Sequence, residues 1–239
     1  MAKQLGKIAV VSGGTGSLGR TVVLRLVNEG YSVIGTHSGS DRSRKFIADN
    51  KTEYRTVDFR EVNVESESSV REFFDYIEKQ YGRVDVVCAL VGGVSEKKWI
   101  EDVSFDEWEK VISLNLHSCF LLVKESVRMM KKHRYGRIVT IGAKPAIKLE
   151  GRRSGYDVAK SAVIAFTRSV SEEVRPFGDI TINSIVPNII LTEENKKWGT
   201  AEEIQKWVTP NQIAEKIVEL CSDKGKSING EIIQMYGKE

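Results

Sequence analysis

Apolar runs of strand length alternate along this chain with stretches whose apolar positions recur every three or four residues. The run at 8–11 is apolar throughout, the pattern of a strand buried on both faces. An amphipathic stretch follows at 18–28, with Gly30 just past its end, where helices commonly stop. The same reading gives strand 31–36 and helix 42–49, strand 53–57 and helix 66–80, and strand 84–90. Residues 104–132 read as one long helix, with Ser104 as its cap and Glu107 completing a capping box. Strand 137–141, a helix at 154–175 stopped by Pro176, and strand 181–186 come next. Two short helices and a strand at 231–235 close the chain. Strands separated by helices demand a parallel sheet covered on both faces. The expected fold is therefore α/β: one doubly wound Rossmann domain over residues 1–239, with a seven-stranded parallel sheet. Residues 189–209 are the one long break in the alternation. They are polar, carry Trp198 and Trp207, and read as a substrate lid or as a surface excursion with two packing tryptophans.

Chemistry enters at the first strand–helix turn, Ser12-Gly13-Gly14-Thr15-Gly16-Ser17-Leu18-Gly19. Glycines there allow a tight turn and close backbone approach to a pyrophosphate at a helix N-terminus. Some 140 residues later come Tyr156 and Lys160, four apart and so on one helix face. An ammonium beside a phenol favours the phenolate, so the pair is expected to lower the tyrosine pKa and pass protons near neutral pH. Strand two ends in Thr36-His37-Ser38 without the carboxylate that an NAD-selective site uses for the ribose diol. Ser38, Arg42, Arg44 and Lys45 could instead hold a 2′-phosphate, which favours NADP(H) and leaves NAD(H) possible. Asn115, an amide inside an apolar helical stretch, must find partners or act.

Taken together, these residues resemble the short-chain dehydrogenase/reductase family over the whole length. The resemblance implies Tyr156 and Lys160 as a Tyr-x-x-x-Lys pair, with Tyr156 the general acid/base and Lys160 also on the nicotinamide ribose. It implies Asn115 as the helix asparagine that orders a water in the proton relay. The implied cofactor contacts are Gly13, Thr15, Gly16, Ser17, Leu18 and Gly19 in the cradle, and His37, Ser38 and Arg42 after strand two. They continue with Asp58 and Phe59 near the adenine, Val91 and Gly92 after strand four, and Pro187, Ile190 and Thr192 after strand six. The family commonly assembles as tetramers, so a homo-oligomer, dimer or tetramer, is expected. The stripe Leu114, Cys119, Leu122 and Val123 reads equally as an interface or a core face.

The departures from the pattern are specific. The usual serine 13 residues before the tyrosine is Ala143, which cannot hold a substrate oxygen. Ala89-Leu90-Val91-Gly92 replaces the usual Asn-Asn-Ala-Gly, Ser17 stands at the middle glycine, and Asn188 follows Pro187. Gly142-Ala143-Lys144 beside an intact Tyr-x-x-x-Lys resembles the dihydropteridine reductase branch, which reduces a quinonoid pterin without the serine. The segment 207–210 and the final Tyr236-Gly237 are similar to a little-characterised group of compact reductases. Ser154 offers a hydroxyl two residues before Tyr156, but on a helix it points elsewhere. The expected activity is NADP(H)-dependent hydride transfer to or from a small carbonyl, quinone or pterin-like substrate. The alternative is a non-catalytic NAD(P)(H)-binding sensor on the same fold.

Charge and composition narrow the partners. Thirty-six basic and 33 acidic residues leave a net charge of +3, and no basic stretch is interleaved with aromatics, which argues against nucleic acid. The cluster Lys131-Lys132-His133-Arg134 reads as a solvated helix end. No apolar run reaches membrane-span length, and the lead at 1–7 has no apolar signal region. Three scattered cysteines and three isolated histidines give neither a disulfide framework nor metal-ligand spacing. A cytoplasmic protein without a metal is the expectation.

Overall fold

β1 (Ile8–Val11) is buried at all four positions, as a strand sandwiched between two helical layers must be. The computed structural model describes residues 6–238; most of the polar lead at 1–7, and the last residue, lie outside them. After β1 come α1 (Ser17–Asn28), β2 (Ser32–His37), α2 (Asp41–Asp49), β3 (Asp58–Glu61), α3 (Glu67–Tyr81) and β4 (Val86–Ala89). Then follow α4 (Phe105–Ile112), α5 (Ser118–His133), β5 (Tyr135–Ile141), α6 (Ser154–Val174) and β6 (Asp179–Pro187). Two single turns, α7 (Glu193–Lys196) and α8 (Ala201–Ile204), precede α9 (Pro210–Cys221) and β7 (Ile232–Met235). The seven strands form one parallel sheet in the order β3-β2-β1-β4-β5-β6-β7.

Each face of the sheet has its own apolar core. Phe73, Phe74 and Ile77 of α3, Leu122 and Met130 of α5, and Val163 and Val170 of α6 cover one face. Val22, Val23 and Leu26 of α1, and Ile213, Ile217 and Leu220 of α9, cover the other. Cys119, Leu122 and Val123 are buried in the first of these layers, which makes that stripe a core face within one chain. Leu114 leaves the stripe and lines the cleft described below. All three cysteines are buried and free. Among the described residues no helix is long and apolar enough to cross a membrane.

Two expectations need correction. Residues 53–57 are not a strand: Tyr54 donates its amide to the Asn50 carbonyl, Val57 donates to the Tyr54 carbonyl, and the chain turns. The Tyr54 ring is drawn into the core against Phe46, 5.2 Å away, and Phe59, 5.9 Å away. Pairing with β2 starts only at Asp58, opposite Ile34. The long helix, in turn, is broken into α4 and α5 by a π-helical turn at Ser113–His117. Asn115 donates its side-chain amide to the Val111 carbonyl at 2.9 Å, and Ser118 its hydroxyl to the Leu114 carbonyl at 2.6 Å. Those side chains satisfy carbonyls that a widened turn releases, a local distortion that π turns commonly place at functional sites.

Candidate active site

The strand order reverses direction between β1 and β4, and a cleft of about 1110 Å³ opens there beyond the carboxyl ends of the strands. Its floor is the turn from β1 into α1. Gly13 has a φ of 64°, the left-handed region where a side chain is strained. A Cβ at Gly19 would fall 2.1 Å from the Gly13 carbonyl oxygen, so a side chain would push the helix away from the turn. No side chain caps α1 at Gly16, and an uncapped helix start presents amide donors suited to a phosphate. The turn is fixed from both sides. The Ser12 hydroxyl accepts the amides of Leu90 at 2.8 Å and Val91 at 3.2 Å, tying it to the segment after β4. The Thr36 hydroxyl accepts the Gly13 amide at 3.2 Å, tying it to β2. This glycine cradle at a helix start, opening on a cleft of that volume, fits a dinucleotide.

The opposite wall holds the polar groups. Asn115 is buried behind the lining and clamps Gly93, accepting its amide at 3.1 Å and donating to its carbonyl at 2.9 Å. The Lys160 Nζ donates to the Ile141 carbonyl at 3.0 Å. Both side chains converge on Gly92: a Cβ there would lie 2.7 Å from the Asn115 Oδ1 and 2.9 Å from the Lys160 Nζ. Tyr156 stands on the same face of α6 one turn before Lys160, and both line the cleft. Ala143 lines it too, at the end of β5, as a buried methyl where a hydroxyl was noted as missing.

The electrostatics reverse one expectation. Tyr156 is not lowered by Lys160; burial pushes it up to about 12. Arg153 is the cation that opposes the rise, while Asp157 and Glu150 add to it. The Lys160 Nζ lies 5.9 Å from the Tyr156 ring centroid and is turned to the Ile141 carbonyl. Burial also brings Lys160 down to about 8, because its ammonium is stripped of water. At neutral pH the pair is thus a protonated phenol beside a buried ammonium, a state suited to giving a proton.

Of the residues singled out in the sequence, the cleft gathers Gly13, Thr15, Gly16, Ser17, Leu18 and Gly19. It also gathers His37, Ser38, Val91, Gly92, Pro187, Ile190 and Thr192. Three stand elsewhere. Asp58 accepts bonds from Arg60, Tyr76 and Tyr81, and Phe59 packs against Phe46 and Tyr54. The late start of β3 moves both off the cleft, and Val62, Asn63 and Val64 line it instead. Arg42 pairs with Glu194 of α7, whose other carboxylate oxygen accepts the Ser17 hydroxyl at 2.9 Å. Arg44 pairs with Glu61. The sequence reading gave no role to the anchors Ser12 and Thr36 and missed Arg153 on the lining, whereas Trp198 lines the cleft from the segment read as a lid. Arg153 is the N-cap of α6, outside the helix, so its approach to Tyr156 depends on a turn that helical spacing does not show. The segment 189–209 separates its tryptophans: Trp207 is buried, whereas Trp198 is exposed, lines the cleft and touches Trp207 with ring centroids 5.0 Å apart.

Comparison with known proteins agrees with this geometry. The short chain dehydrogenase family matches residues 7–203. The 3-oxoacyl-[acyl-carrier-protein] reductase FabG of Aquifex aeolicus is 30% identical over 98% of this chain and 98% of its own length. A 3beta-hydroxysteroid dehydrogenase of Mediterraneibacter gnavus is 28% identical over 97% of this chain and 94% of its own. The solved structure of levodione reductase superposes with a TM-score of 0.87 at 23% identity, covering 98% of this chain and 97% of that one, which shows the shared fold. The chain belongs to the short chain dehydrogenase family and is an NAD(P)H-dependent oxidoreductase.

Proposed function

We propose that this protein is an NADP(H)-dependent reductase that acts on a small, already electrophilic substrate: a carbonyl compound, a quinone or a pterin-like ring. The observation that carries this is the meeting of the cradle, Tyr156, Lys160 and the methyl of Ala143 in one cleft. When bound, the cofactor supplies the hydride. Tyr156 gives its phenolic proton to the substrate atom that gains negative charge. Lys160 keeps an ammonium beside the phenolate so formed and holds the nicotinamide ribose, and Asn115 fixes the Gly92–Gly93 backbone against which Lys160 packs. With alanine at 143 the site lacks one preorganised donor, which a planar acceptor that needs little polarisation tolerates best. Gly13 to Gly19 serve the pyrophosphate, and His37 and Ser38 the adenosine ribose. Asn63 and Val64 take the adenine end in place of Asp58, and Pro187, Ile190 and Thr192 take the nicotinamide end. The segment 189–209 acts as the lid, and the protein works in the cytoplasm as a dimer or tetramer. The deciding experiment is NADPH oxidation in single turnover with ketones, quinones and quinonoid pterins. Oxidation by at least one class supports the reading, and binding of NADPH without oxidation by any of them overturns it in favour of a sensor.

Ala143→Ser is expected to raise turnover of a simple ketone on the order of 100-fold, the usual weight of one oxyanion donor. The same substitution leaves quinone turnover little changed, and equal effects on both would show that position 143 does not face the substrate oxygen. Cofactor choice turns on Arg42, which a 2′-phosphate must win from Glu194. An exposed pair of this kind holds about 0.2–1 kcal/mol. Glu194→Gln is therefore expected to tighten NADPH relative to NADH by roughly 1.4-fold to fivefold in a tryptophan-quenching titration. An unchanged ratio removes Arg42 from 2′-phosphate recognition.

A further inference from the structure

Arg153 is left over by the reaction as described. It lines the cleft three residues before Tyr156, at the N-terminal boundary of α6, and its Nε is shielded from solvent with no hydrogen-bond partner among the described residues. Carboxylates are near. Asp157 stands in the first turn of α6, close enough for the Arg153 charge to act on it, yet no side-chain hydrogen bond joins the two and the Asp157 Oδ1 is itself buried without a partner. Glu150 is exposed at the rim of the same cleft. No ion pair forms between Arg153 and either of them. The guanidinium nevertheless acts on the Tyr156 phenol, so its charge reaches the place where a proton is given. On the facing segment after β4, Lys97 lines the cleft as a second cation. Around them the walls are apolar, with Val94, Leu114, Pro145, Ile189 and Trp198.

A half-buried arginine that lines a substrate cleft with no ion-pair partner among the described residues lacks an acceptor. Guanidinium donors in a fork match a carboxylate in shape and charge. The Ala143 methyl removes the neutral hydroxyl that would orient a carbonyl, and the Lys160 Nζ is turned to the Ile141 carbonyl, which leaves Arg153 as a charged donor on the lining near Tyr156. We propose that Arg153 is a substrate-anchoring residue, and that the physiological substrate carries a carboxylate close to the carbonyl or imine that Tyr156 protonates, with Lys97 as auxiliary cation. This rests on the reading of Tyr156 as proton donor and narrows its substrate class.

The test separates the two. The protein, with and without saturating NADPH, is titrated with benzoate and with benzamide, two rings of equal size that differ in charge, following tryptophan emission. Benzoate is expected to bind at least roughly tenfold tighter than benzamide, the low end for a hydrogen bond to a charged group. Arg153→Leu is expected to erase that preference, and Arg153→Lys, which keeps the charge but loses the fork, to retain part of it. Equal binding of the two rings to the wild-type protein, or an unchanged ratio in Arg153→Leu, overturns the proposal whatever the turnover. In parallel, NADPH oxidation is compared for 2-oxo and 3-oxo carboxylates and their methyl esters. The acids are expected to have the lower KM, with the advantage lost in Arg153→Leu. If neutral quinones are turned over and acids hold no KM advantage, the reductase reading stands and the anchor fails. If carboxylates bind through Arg153 while no acceptor is reduced, the anchor stands and the reductase reading fails.

Discussion

Tyr156→Phe should lower the rate of NADPH-dependent reduction by about 100-fold or more, the usual worth of a positioned general acid. The substitution removes a single oxygen. The ring stays in place on α6 and the cradle residues are untouched, so NADPH titration should give the same affinity as the wild-type protein. The phenol sits at about 12, raised mainly by burial, and so remains protonated throughout the neutral range. It is ready to donate but poorly disposed to accept, which favours reduction over oxidation in this state of the site. The pH dependence then belongs to Lys160. As the pH rises through about 8 its ammonium is lost, and with it the charge that steadies the phenolate after proton transfer. The reduction rate is expected to fall above about pH 8 and to be flat between about 6 and 7. A Tyr156→Phe protein of wild-type turnover would remove the tyrosine from the chemistry. A rate that instead climbs through pH 8 would show that the neutral amine of Lys160 is the working form.

What the sequence made legible was whatever depends on local order. The apolar run of β1, the glycine turn and the helix-face pairing of Tyr156 with Lys160 are short-range patterns, and the seven parallel strands follow from their alternation with helices. Two kinds of information stayed hidden. The first is register. Tyr54 and Val57 look like strand residues, but the ring of Tyr54 is held by Phe46 and Phe59, partners that only the tertiary fold supplies. Asp58 and Phe59, which the resemblance put near the adenine, lie inside β3, and Asn63 and Val64 beyond its end line the cleft instead. The second is partnership across the chain. Arg42 reads as a free cation beside strand two, yet its carboxylate comes from Glu194, 152 residues away. In the same way, i,i+4 spacing suggested that Lys160 tunes Tyr156, but it says nothing of the Ile141 carbonyl that draws the ammonium aside or of the burial that dominates both groups. Spacing reports which side chains share a face; desolvation depends on what covers that face.

Lys160→Met should abolish reduction and yet make the fold more stable near pH 7. The side chain is buried, its ammonium donates to a single carbonyl, and no carboxylate faces it closely enough to appear among the causes of its shift. An unfolded lysine titrates near about 10.4, so a folded value of about 8 means the native state disfavours the charge by on the order of 3 kcal/mol. Below pH 8 both states carry the proton and the whole penalty is present. Between about 8 and 10.4 the folded lysine is neutral while the unfolded one is charged, so the unfolded state binds more protons and wild-type stability rises with pH. Above that window both are neutral and the penalty is gone. Methionine fills nearly the same volume without charge but leaves the Ile141 carbonyl unpaired, which takes back about 1 kcal/mol. A net gain of roughly 2 kcal/mol corresponds in a chain of this size to roughly 5 °C in Tm. Thermal unfolding of both proteins from pH 7 to pH 10 is the measurement. The variant's advantage should be largest at neutral pH and close as the pH passes through the window. A variant less stable than wild type at pH 7 would mean that water or ions already solvate the ammonium, and the folded value near 8 would then be wrong. If the gain is found, the stability given up at this one position measures what the site spends to hold a desolvated cation beside Tyr156, a cost expected where a residue is kept for chemistry and not for packing.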